Sequence, residues 1–430
     1  MARNRVIYQS EALYVSPNAT GYHYATGDGV SAAGSKGVNN VNSATLAQKT
    51  SNYIGNNTGT LVEQLTRVQS ANYSFTVNRQ DVNEYGKLAR IDAISLEPPT
   101  VSLDFTYFIT DGRNELLLDF PIDGTASAAS GHLQARPGQN FFIQTAAEGS
   151  DAQGLSDATH QTSDIIGLGN GFLSDYTVEG SVGSLPTASV TIEGFNLIGS
   201  TGTVDIDTPA VSLEQGTKIA DIKFALPKAT GDNDNDAGPN FMTSDISALR
   251  PGDISLTFRR KGGPGAWDYP SLINTVTGSS AEDAVTSLNV QSFTLSLPLA
   301  RTPIDRLGSK FAFARVVDFP VVATMTVSAL AQDLKEGNLV DLLDDSTERD
   351  LRVTMKKPGT TTNAMHFDLR GARLDSESIS SDIGSNKSVD LTYSAQIGGP
   401  EDTVHGVFIS GIFNDGTQKA KTNFPSAYNL

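Results

Sequence analysis

The stretch from 68 to 109, VQSANYSFTVNRQDVNEYGKLARIDAISLEPPTVSLDFTYFI, decides the fold because the chain contains a second version of it. The second version runs from 290 to 330, VQSFTLSLPLARTPIDRLGSKFAFARVVDFPVVATMTVSAL, a shift of 290 − 68 = 222 positions. The same shift superposes Arg79 on Arg301 and Gly86 on Gly308, and one residue less places Pro99 on Pro320. The order of strand, glycine loop, short run, proline and long strand is the same in both, which predicts an internal duplication.

Alternating apolar and polar residues predict β-strands in both versions. Val101, Leu103, Phe105 and Tyr107 share one face of a strand, with hydroxyl and acidic residues between them. The second version alternates in the same way from 293 to 299 and from 321 to 329. Pro298 lacks the backbone N–H that a ladder needs, so we expect its strand to be an edge strand or to be bulged there.

A second unit also recurs, and helices are few. The segment 171–194 is typical of a strand, a tight turn and a strand, and its expected counterpart is 371–394. Leucines at helical spacing predict a helix over 332–343, and a weaker helix is expected over 112–120. The alternation in 254–258 predicts the first strand of the second unit.

The totals favour more than one domain. A chain of 430 residues exceeds one ordinary core, and its 40 glycines suit many short strands joined by tight turns. We expect a mainly β protein with two tandem β-sandwich or barrel domains, each with a short flanking helix, plus extended arms and loops. The expected divisions are 1–60 (an N-terminal strand and a Gly/Ser-rich arm or loop), 61–200 (first domain), 201–244 (linker or insertion), 245–399 (second domain) and 400–430 (C-terminal arm).

Composition excludes several classes of protein. The absence of cysteine excludes disulfide scaffolds and thiolate metal sites, and no run approaches the roughly 20 apolar residues that span a bilayer. With no apolar stretch of signal-peptide length near the N-terminus, we expect a soluble protein. The net charge of −17 argues against a protein that grips nucleic acid, because that binding neutralises phosphates with Lys and Arg.

No constellation of residues predicts catalysis, so the sequence gives no catalytic, cofactor-binding or metal site. The five histidines are scattered, and no nucleophile elbow, P-loop or histidine pair on a helix is present. Asp232, Asp234 and Asp236 are the one arrangement suited to Ca²⁺, but Ala237 stands where the glycine is needed and the closing Glu is missing, which favours a solvated loop. The basic run 259–261 precedes Gly-Gly-Pro-Gly and indicates a turn or a salt-bridging contact.

The hairpin GFLSDYTVEGSVGSLPTASVTIEG (171–194) resembles the tube-forming proteins of tailed bacteriophages. The VQS strand with its continuation RQDVNEYGKLAR resembles the same family, as do LRPGDISLTF (249–258) and SLNVQSFTLSLPLAR (287–301). The resemblance covers most of 61–120, 165–200 and 245–400, and its motifs are diffuse β patterns.

The resemblance implies a β-sandwich or barrel flanked by a helix, whose copies join their sheets into rings that stack into a conduit for viral DNA. A duplicated tube domain implies a ring of three chains that mimics a ring of six. It also implies a virion protein of the tail, assembled in the host cytoplasm, with no enzymatic activity and no cofactor. The implied partners are further copies of the chain and other tail proteins such as the tape measure, terminator, distal-tail and sheath proteins, while DNA passes without specific binding.

Three alternatives stay open at this point. One is another tail component, such as a distal-tail or sheath protein. Another is a β-sandwich carbohydrate-binding or adhesive module, for which an export signal and exposed aromatic platforms are expected. The third is a glycan-cleaving enzyme with a pair of close carboxylates.

Overall fold

The computed structural model describes seventeen stretches of the chain and shows a mainly β protein. These are residues 11–16, 62–96, 98–122, 124, 127–132, 138–146, 152, 163–203, 206–213, 217–219, 223–224, 226, 246–260, 288–331, 348–380, 386–399 and 402–412, the first of them isolated from the next by a long gap. The predicted mainly β class is confirmed.

The strands before residue 245 are β1 (Glu11–Ser16), β2 (Glu63–Gln64), β3 (Val68–Thr76), β4 (Arg79–Val82), β5 (Asp92–Ser95), β6 (Thr100–Phe108), β7 (Gln139–Thr145), β8 (Asp164–Ser181), β9 (Thr187–Gly194), β10 (Asn196–Thr201), β11 (Ile206–Asp207), β12 (Val211–Ser212), β13 (Thr217–Lys218) and β14 (Lys223–Phe224). Those after it are β15 (Ile254–Arg260), β16 (Leu288–Pro298), β17 (Arg301–Ile304), β18 (Ala314–Val317), β19 (Val322–Ala331), β20 (Arg349–Lys356), β21 (Asn363–Ser380), β22 (Ser388–Gln396) and β23 (Gly406–Gly411). The described helices are α1 (Arg113–Leu117) and two 3₁₀ turns, Ala128–Gly131 and Pro251–Asp253.

Most strands belong to one antiparallel sheet that folds over itself. Eight of them are neighbours in the order β3-β6-β9-β8-β16-β19-β22-β21, which we call the long sheet. The N-terminal part of β8 leaves the long sheet and pairs with β7 and β10, and β7 pairs with β1. The two layers enclose aromatic side chains, with the rings of Phe105 on β6 and Phe141 on β7 6.2 Å apart. Burial of such apolar faces is the main stabilising term of the fold.

The strand order after residue 245 repeats the order before it. The first part has β3-β6-β9-β8-β7-β1 with β10 on β8, and the second has β16-β19-β22-β21-β20-β15 with β23 on β21. The pair Val68↔Tyr107 and the pair Val290↔Ala329 both differ by 222, and each lies next to a bulge. On β8, β9, β21 and β22 the shift is 201 residues. The pair Leu173↔Ile192 of β8 and β9 corresponds to the pair Leu374↔Tyr393 of β21 and β22, and each pair lies next to a bulge.

Pro298 differs from its expected setting. Its strand, β16, lies between β8 and β19, and the bulge falls at 290–292 instead. Proline is tolerated because it is the last residue of the strand, where it faces Asp175 of β8 and the pairing with β19 has already ended at Ser296. The prediction of an edge or a bulge at Pro298 is therefore wrong.

The register of the paired strands shifts two of the correspondences predicted from the sequence by one residue. The shift of 222 persists through the hairpin, so Pro98 and not Pro99 corresponds to Pro320. The shift of 201 aligns the second hairpin with 372–395 rather than 371–394. Low sequence identity left these one-residue choices undecided.

Other expected elements are placed as follows. The helix expected over 112–120 is present as α1, and the helix expected over 332–343 lies outside the described residues. Within 201–244, Ile206, Phe224 and Leu226 are buried in a cluster with Tyr14 and Phe142. Within 400–430, β23 pairs with β21 as part of the sheet, and 413–430 lie outside the described stretches. The domain boundaries stay predictions.

No helix in the described parts of the chain has the length and apolar character needed to cross a membrane.

Candidate assembly edges and a hydroxyl-acid sheet face

We call the described strands before residue 245 the first repeat and those after it the second repeat. The long sheet joins the two repeats through β8 and β16. Seven consecutive residue pairs connect them, from Asp175↔Pro298 to Ser181↔Ser292. On the inner face, Tyr176 and Val178 of β8 lie opposite Leu297 and Leu295 of β16, and all four are fully buried. This junction, which we call the internal joint, is therefore an ordinary buried part of the core.

The internal joint is also matched in shape. Phe293 lies opposite Gly180, and a Cβ built on Gly180 would lie 2.6 Å from Cε1 of the Phe293 ring. Glycine in a strand interior often marks such a close approach by another group. The internal joint thus accepts a large ring on β16 only because β8 has no side chain at that position.

The strands at the two ends of the long sheet have no neighbour there among the described residues. They are β3 and the C-terminal part of β21, from 373 to 380, which pairs only with β22. Their inward apolar side chains are open to water: Tyr73 is 45% exposed, Phe75 62% and Ile379 40%. At the corresponding positions of the internal joint, Leu295, Leu297 and Val178 are fully buried.

Two corresponding hairpins differ in the same way. The β17–β18 hairpin packs on the first repeat: Ala312 in its connecting loop is buried in a cluster with Phe172 and Phe195, and Arg315 Nη1 donates to Glu193 Oε2 at 2.8 Å. Arg315 lies with its guanidinium carbon 4.8 Å from the centre of the Phe195 ring. Burial lowers the pKa of Arg315, and the Glu193 carboxylate opposes that shift.

The counterpart hairpin, β4–β5, projects from the described body. Tyr85 and Leu88 at its tip are fully exposed, and Ile91, Ile94 and Leu96 are each about half exposed or more. Contiguous exposed apolar side chains of this kind mark surfaces that bind another protein. Water-exposed apolar side chains thus lie on β3, on its hairpin and on the free part of β21. The β17–β18 hairpin also has some, since Leu307 at its tip is fully exposed and Phe319 is 64% exposed.

The outward face of the long sheet is made of hydroxyl, amide and carboxylate groups. The strands alternate so that the described outward positions of the central rows are Ser70, Asn72, Ser74, Ser102, Asp104, Thr106, Asp175, Thr177, Glu179, Ser189, Thr191, Glu193, Ser292, Thr294, Ser296, Thr324, Thr326, Ser328, Asp390, Thr392, Ser376 and Ser378. None of these positions holds lysine or arginine, and Arg373 of β21 is a cation on the same face, at the end of the row that runs through Ser394 and Thr324. We call this surface the hydroxyl-acid face.

Hydroxyl groups of neighbouring strands hold the carboxylates of the hydroxyl-acid face. Thr191 donates to Asp104 at 2.7 Å, Thr187 donates to Glu179 at 3.2 Å, and Ser328 donates to Asp390. Burial raises the pKa of Asp175, and the Thr177 hydroxyl that donates to it opposes the shift. The face combines fixed negative charge with hydroxyl groups that bind water.

A buried carboxyl anchors α1 to the long sheet. Glu115 is 1% exposed, and its Oε1 accepts hydrogen bonds from Tyr107 at 3.0 Å and from Tyr176 at 3.1 Å. Burial raises the pKa of Glu115 to about 7, against which the tyrosine hydrogen bonds act, while the nearby Asp111 charge adds to the rise. Because the group is enclosed and reaches no solvent, its arrangement is structural and cannot meet a substrate.

Two histidines lie among charged groups in the described part of the chain. His405 Nδ1 lies 3.1 Å from Asp402 Oδ2, and His405 Nε2 lies 3.6 Å from Glu348 Oε2. Burial lowers the pKa of a second histidine, His366. No group of three or more His, Asp or Glu suited to a metal ion occurs among the residues that the structure describes.

The described stretches do not include Asp232, Asp234 and Asp236. In the basic run 259–261, Arg259 and Arg260 are the last residues of β15, and Lys261 lies outside the described stretches. Sequence reasoning named no residue of the hydroxyl-acid face and did not find Glu115. The alternation of Ser and Thr with apolar residues was the available signal for the face, whereas nothing local indicates that Glu115 meets two tyrosines.

Comparisons with known proteins give little. No protein-family model matches the chain, and no curated protein matches it. Among solved structures, it is similar to the SPP1 tail tube, determined by solid-state NMR and cryo-EM, with a TM-score of 0.24 and 11% sequence identity over 40% of this chain and 84% of that chain. A likeness at this TM-score does not establish a shared fold.

Proposed function

We propose that this chain is a virion structural protein, the tail tube subunit of a tailed bacteriophage, which self-assembles into stacked rings. The observation that carries the proposal is the long sheet itself. Among the described residues it has a buried apolar face, a hydroxyl-acid face without lysine or arginine in its central rows, and an end strand on each side that pairs with only one neighbour. Such a sheet is incomplete as a monomer and is suited to continue from copy to copy.

Unpaired strands favour assembly for a general physical reason. An exposed edge presents free backbone N–H and C=O groups that pair with a further strand, and proteins that remain monomeric usually block such edges. Here the two edges lie at opposite ends of one sheet, so the contact between copies is head-to-tail. A head-to-tail contact gives a ring when its rotation closes.

The ring that we propose has three chains and six repeats. The repeated strand order supplies two similar units per chain, so that each ring alternates internal joints with joints between chains. We further propose that the two repeats arose by duplication of one tube-type domain.

The hydroxyl-acid face is proposed to line the conduit through which viral DNA leaves. Phosphate groups are repelled by Asp104, Glu179 and Asp390, and the face offers no Lys or Arg at its central positions to hold them. Serine and threonine hydroxyls keep a layer of water between the wall and the DNA. DNA therefore passes without being bound specifically.

In this proposal the protein has no catalytic activity and needs no cofactor. Its partners are other copies of the chain and the tape measure, terminator, distal-tail and sheath proteins of a tail. Its location is the virion tail, after assembly in the host cytoplasm.

The proposal is tested by negative-stain electron microscopy and sedimentation velocity of the purified protein over a range of concentrations. Rings or hollow tubes with three-fold or pseudo-six-fold symmetry are expected, together with no retention of double-stranded DNA at low salt. A protein that stays monomeric at every concentration, or one that binds DNA or polysaccharides as a monomer, contradicts the proposal.

A further inference from the structure

The strands equivalent to β16 and β8 of the internal joint are both present in the chain, but they do not pair with each other. β16 corresponds to β3 through the shift of 222, and the paired part of β8 corresponds to the free part of β21 through the shift of 201. In one chain β8 already holds β16, whereas β3 and the free part of β21 stand at opposite ends of the long sheet.

We propose that β3 of one copy pairs antiparallel with β21 of the next copy, in the register that the internal joint shows. This inference rests on the self-assembly in the proposed function and specifies its contact. The occupant of each free edge is thus the other free edge of an identical chain.

The two shifts give the register residue by residue. Val178↔Leu295 becomes Ile379↔Tyr73, and Thr177↔Ser296 becomes Ser378↔Ser74. In the same way Tyr176↔Leu297 becomes Glu377↔Phe75. A slip by one residue would turn Tyr73 and Phe75 from the apolar face to the hydroxyl-acid face, so burial fixes this register.

Exposure of the apolar side chains identifies what the contact buries. Tyr73, Phe75 and Ile379 are between 40% and 62% exposed in the single chain, and each stands where the internal joint has a fully buried side chain. Aromatic and β-branched residues facing each other across strands stabilise a sheet. Pairing the two edges therefore converts exposed apolar surface to a core like that of the internal joint.

The hairpins extend the same contact. Because β17–β18 packs on the first repeat beside the internal joint, the exposed β4–β5 hairpin is placed against the second repeat of the neighbouring copy. Leu307, which corresponds to Tyr85, is fully exposed on the β17–β18 hairpin, so the contact is expected along the strands of the β4–β5 hairpin and not at its tip.

The side chains at equivalent positions differ between the internal joint and the contact between chains. The internal joint fits Phe293 against Gly180, whereas the contact between chains has Ala71 at the position equivalent to Phe293. Where the internal joint has Tyr176, the contact between chains has Glu377, whose Oε1 is buried without a hydrogen-bond partner. A charge at this place costs free energy on burial, so the contact between chains separates more readily than the internal joint.

Introduced cysteines test the register, since the chain has none of its own. Two single variants, Ser74→Cys and Ser378→Cys, are mixed, allowed to assemble and oxidised, and the products are separated on a denaturing gel without reductant. A disulfide-linked pair of chains is expected from the mixture and not from either variant alone. Each chain has one thiol, so no larger product forms.

Two further samples make the outcome decisive. The mixture of Ser70→Cys with Ser378→Cys is out of register by four residues, about 13 Å along a strand, and forms no disulfide because the Cα atoms are too far apart. The double variant Thr177→Cys with Ser296→Cys reproduces the pair in the internal joint and forms its disulfide within one chain.

The result separates this inference from the proposed function. Rings or tubes in the microscope with no cross-link between 74 and 378, while the internal pair does cross-link, overturn the strand pairing and leave the tube function standing. A cross-link between 70 and 378 instead overturns the register. Absence of any association overturns both.

Discussion

Replacing corresponding apolar residues of the two repeats by alanine is predicted to have opposite consequences. Leu297 and Phe75 occupy equivalent positions, 222 residues apart, but Leu297 is fully buried and Phe75 is 62% exposed. We expect Leu297→Ala to lower the stability of the single chain, and Phe75→Ala to leave the stability nearly unchanged while it abolishes assembly.

The magnitudes follow from burial. Leu297→Ala removes three buried carbons at about 0.8 kcal/mol each and leaves a cavity, so a loss of about 3–4 kcal/mol is expected. Phe75 keeps only about a third of its surface away from water, so its truncation costs less than about 1 kcal/mol. In the assembled protein, Phe75→Ala instead removes an aromatic ring that the contact between chains is proposed to bury fully.

The assays are urea unfolding followed by far-UV circular dichroism, under conditions where the protein is monomeric, and sedimentation velocity under assembly conditions. Ser74→Ala serves as a control on the outward face of the same strand, and both properties are expected to stay at wild-type values. Equal stability losses in Leu297→Ala and Phe75→Ala, or normal assembly of Phe75→Ala, would refute the reasoning.

Three other changes test separate parts of the account. Because the folded pKa of Glu115 is raised from 4.5 to about 7, its protonation stabilises the fold below pH 4.5, and this contribution, about 3 kcal/mol, is lost as pH rises through 7. Glu115→Gln is therefore expected to be more stable than wild type at pH 8 and to gain little at pH 4.5 in urea unfolding, and an equal effect at both pH values contradicts the burial of a titrating carboxyl. Glu377→Gln removes a buried charge from the contact between chains, so assembly is expected at several-fold lower concentration by light scattering, whereas an unchanged or higher threshold contradicts that contact. Asp104→Lys with Asp390→Lys places cations on the hydroxyl-acid face, and salt-sensitive retention of DNA is expected in filter binding where wild type shows none; wild-type behaviour of this variant argues against a face that meets DNA.

Local pattern was sufficient for the strands and for their repetition. The alternation at Val101, Leu103, Phe105 and Tyr107 predicts a half-buried strand, and all four side chains are buried on one face of β6. Period-two burial is a property of each strand alone, so a single sequence carries it.

The order of strands in the long sheet could not be read from local pattern. Pairing between β8 and β16 joins residues more than 100 positions apart, and alternation says only which residues share a face, not which strand lies beside which. The same limit explains why Pro298 was expected at an edge. Its tolerance depends on where β19 stops pairing, which is a property of the assembled sheet.

The candidate site was beyond sequence reasoning for a related reason. Asp104 and Asp390 lie on one face only because four strands, β9, β8, β16 and β19, connect β6 to β22 in this order, and the two residues are 286 positions apart in sequence. Glu115 meets Tyr107 and Tyr176 through the packing of α1 on the sheet, which no spacing rule encodes. The net charge argued against a protein that grips nucleic acid, but it did not indicate where the acidic side chains lie.

A cryo-EM reconstruction of the assembled protein tests the central claim most directly. The account predicts hollow tubes built from rings of three chains, with β3 of each chain beside β21 of the next and with Asp104, Glu179 and Asp390 facing the lumen. A tube whose hydroxyl-acid face points outward, rings in which these two strands are not neighbours, or the absence of any ring contradicts it.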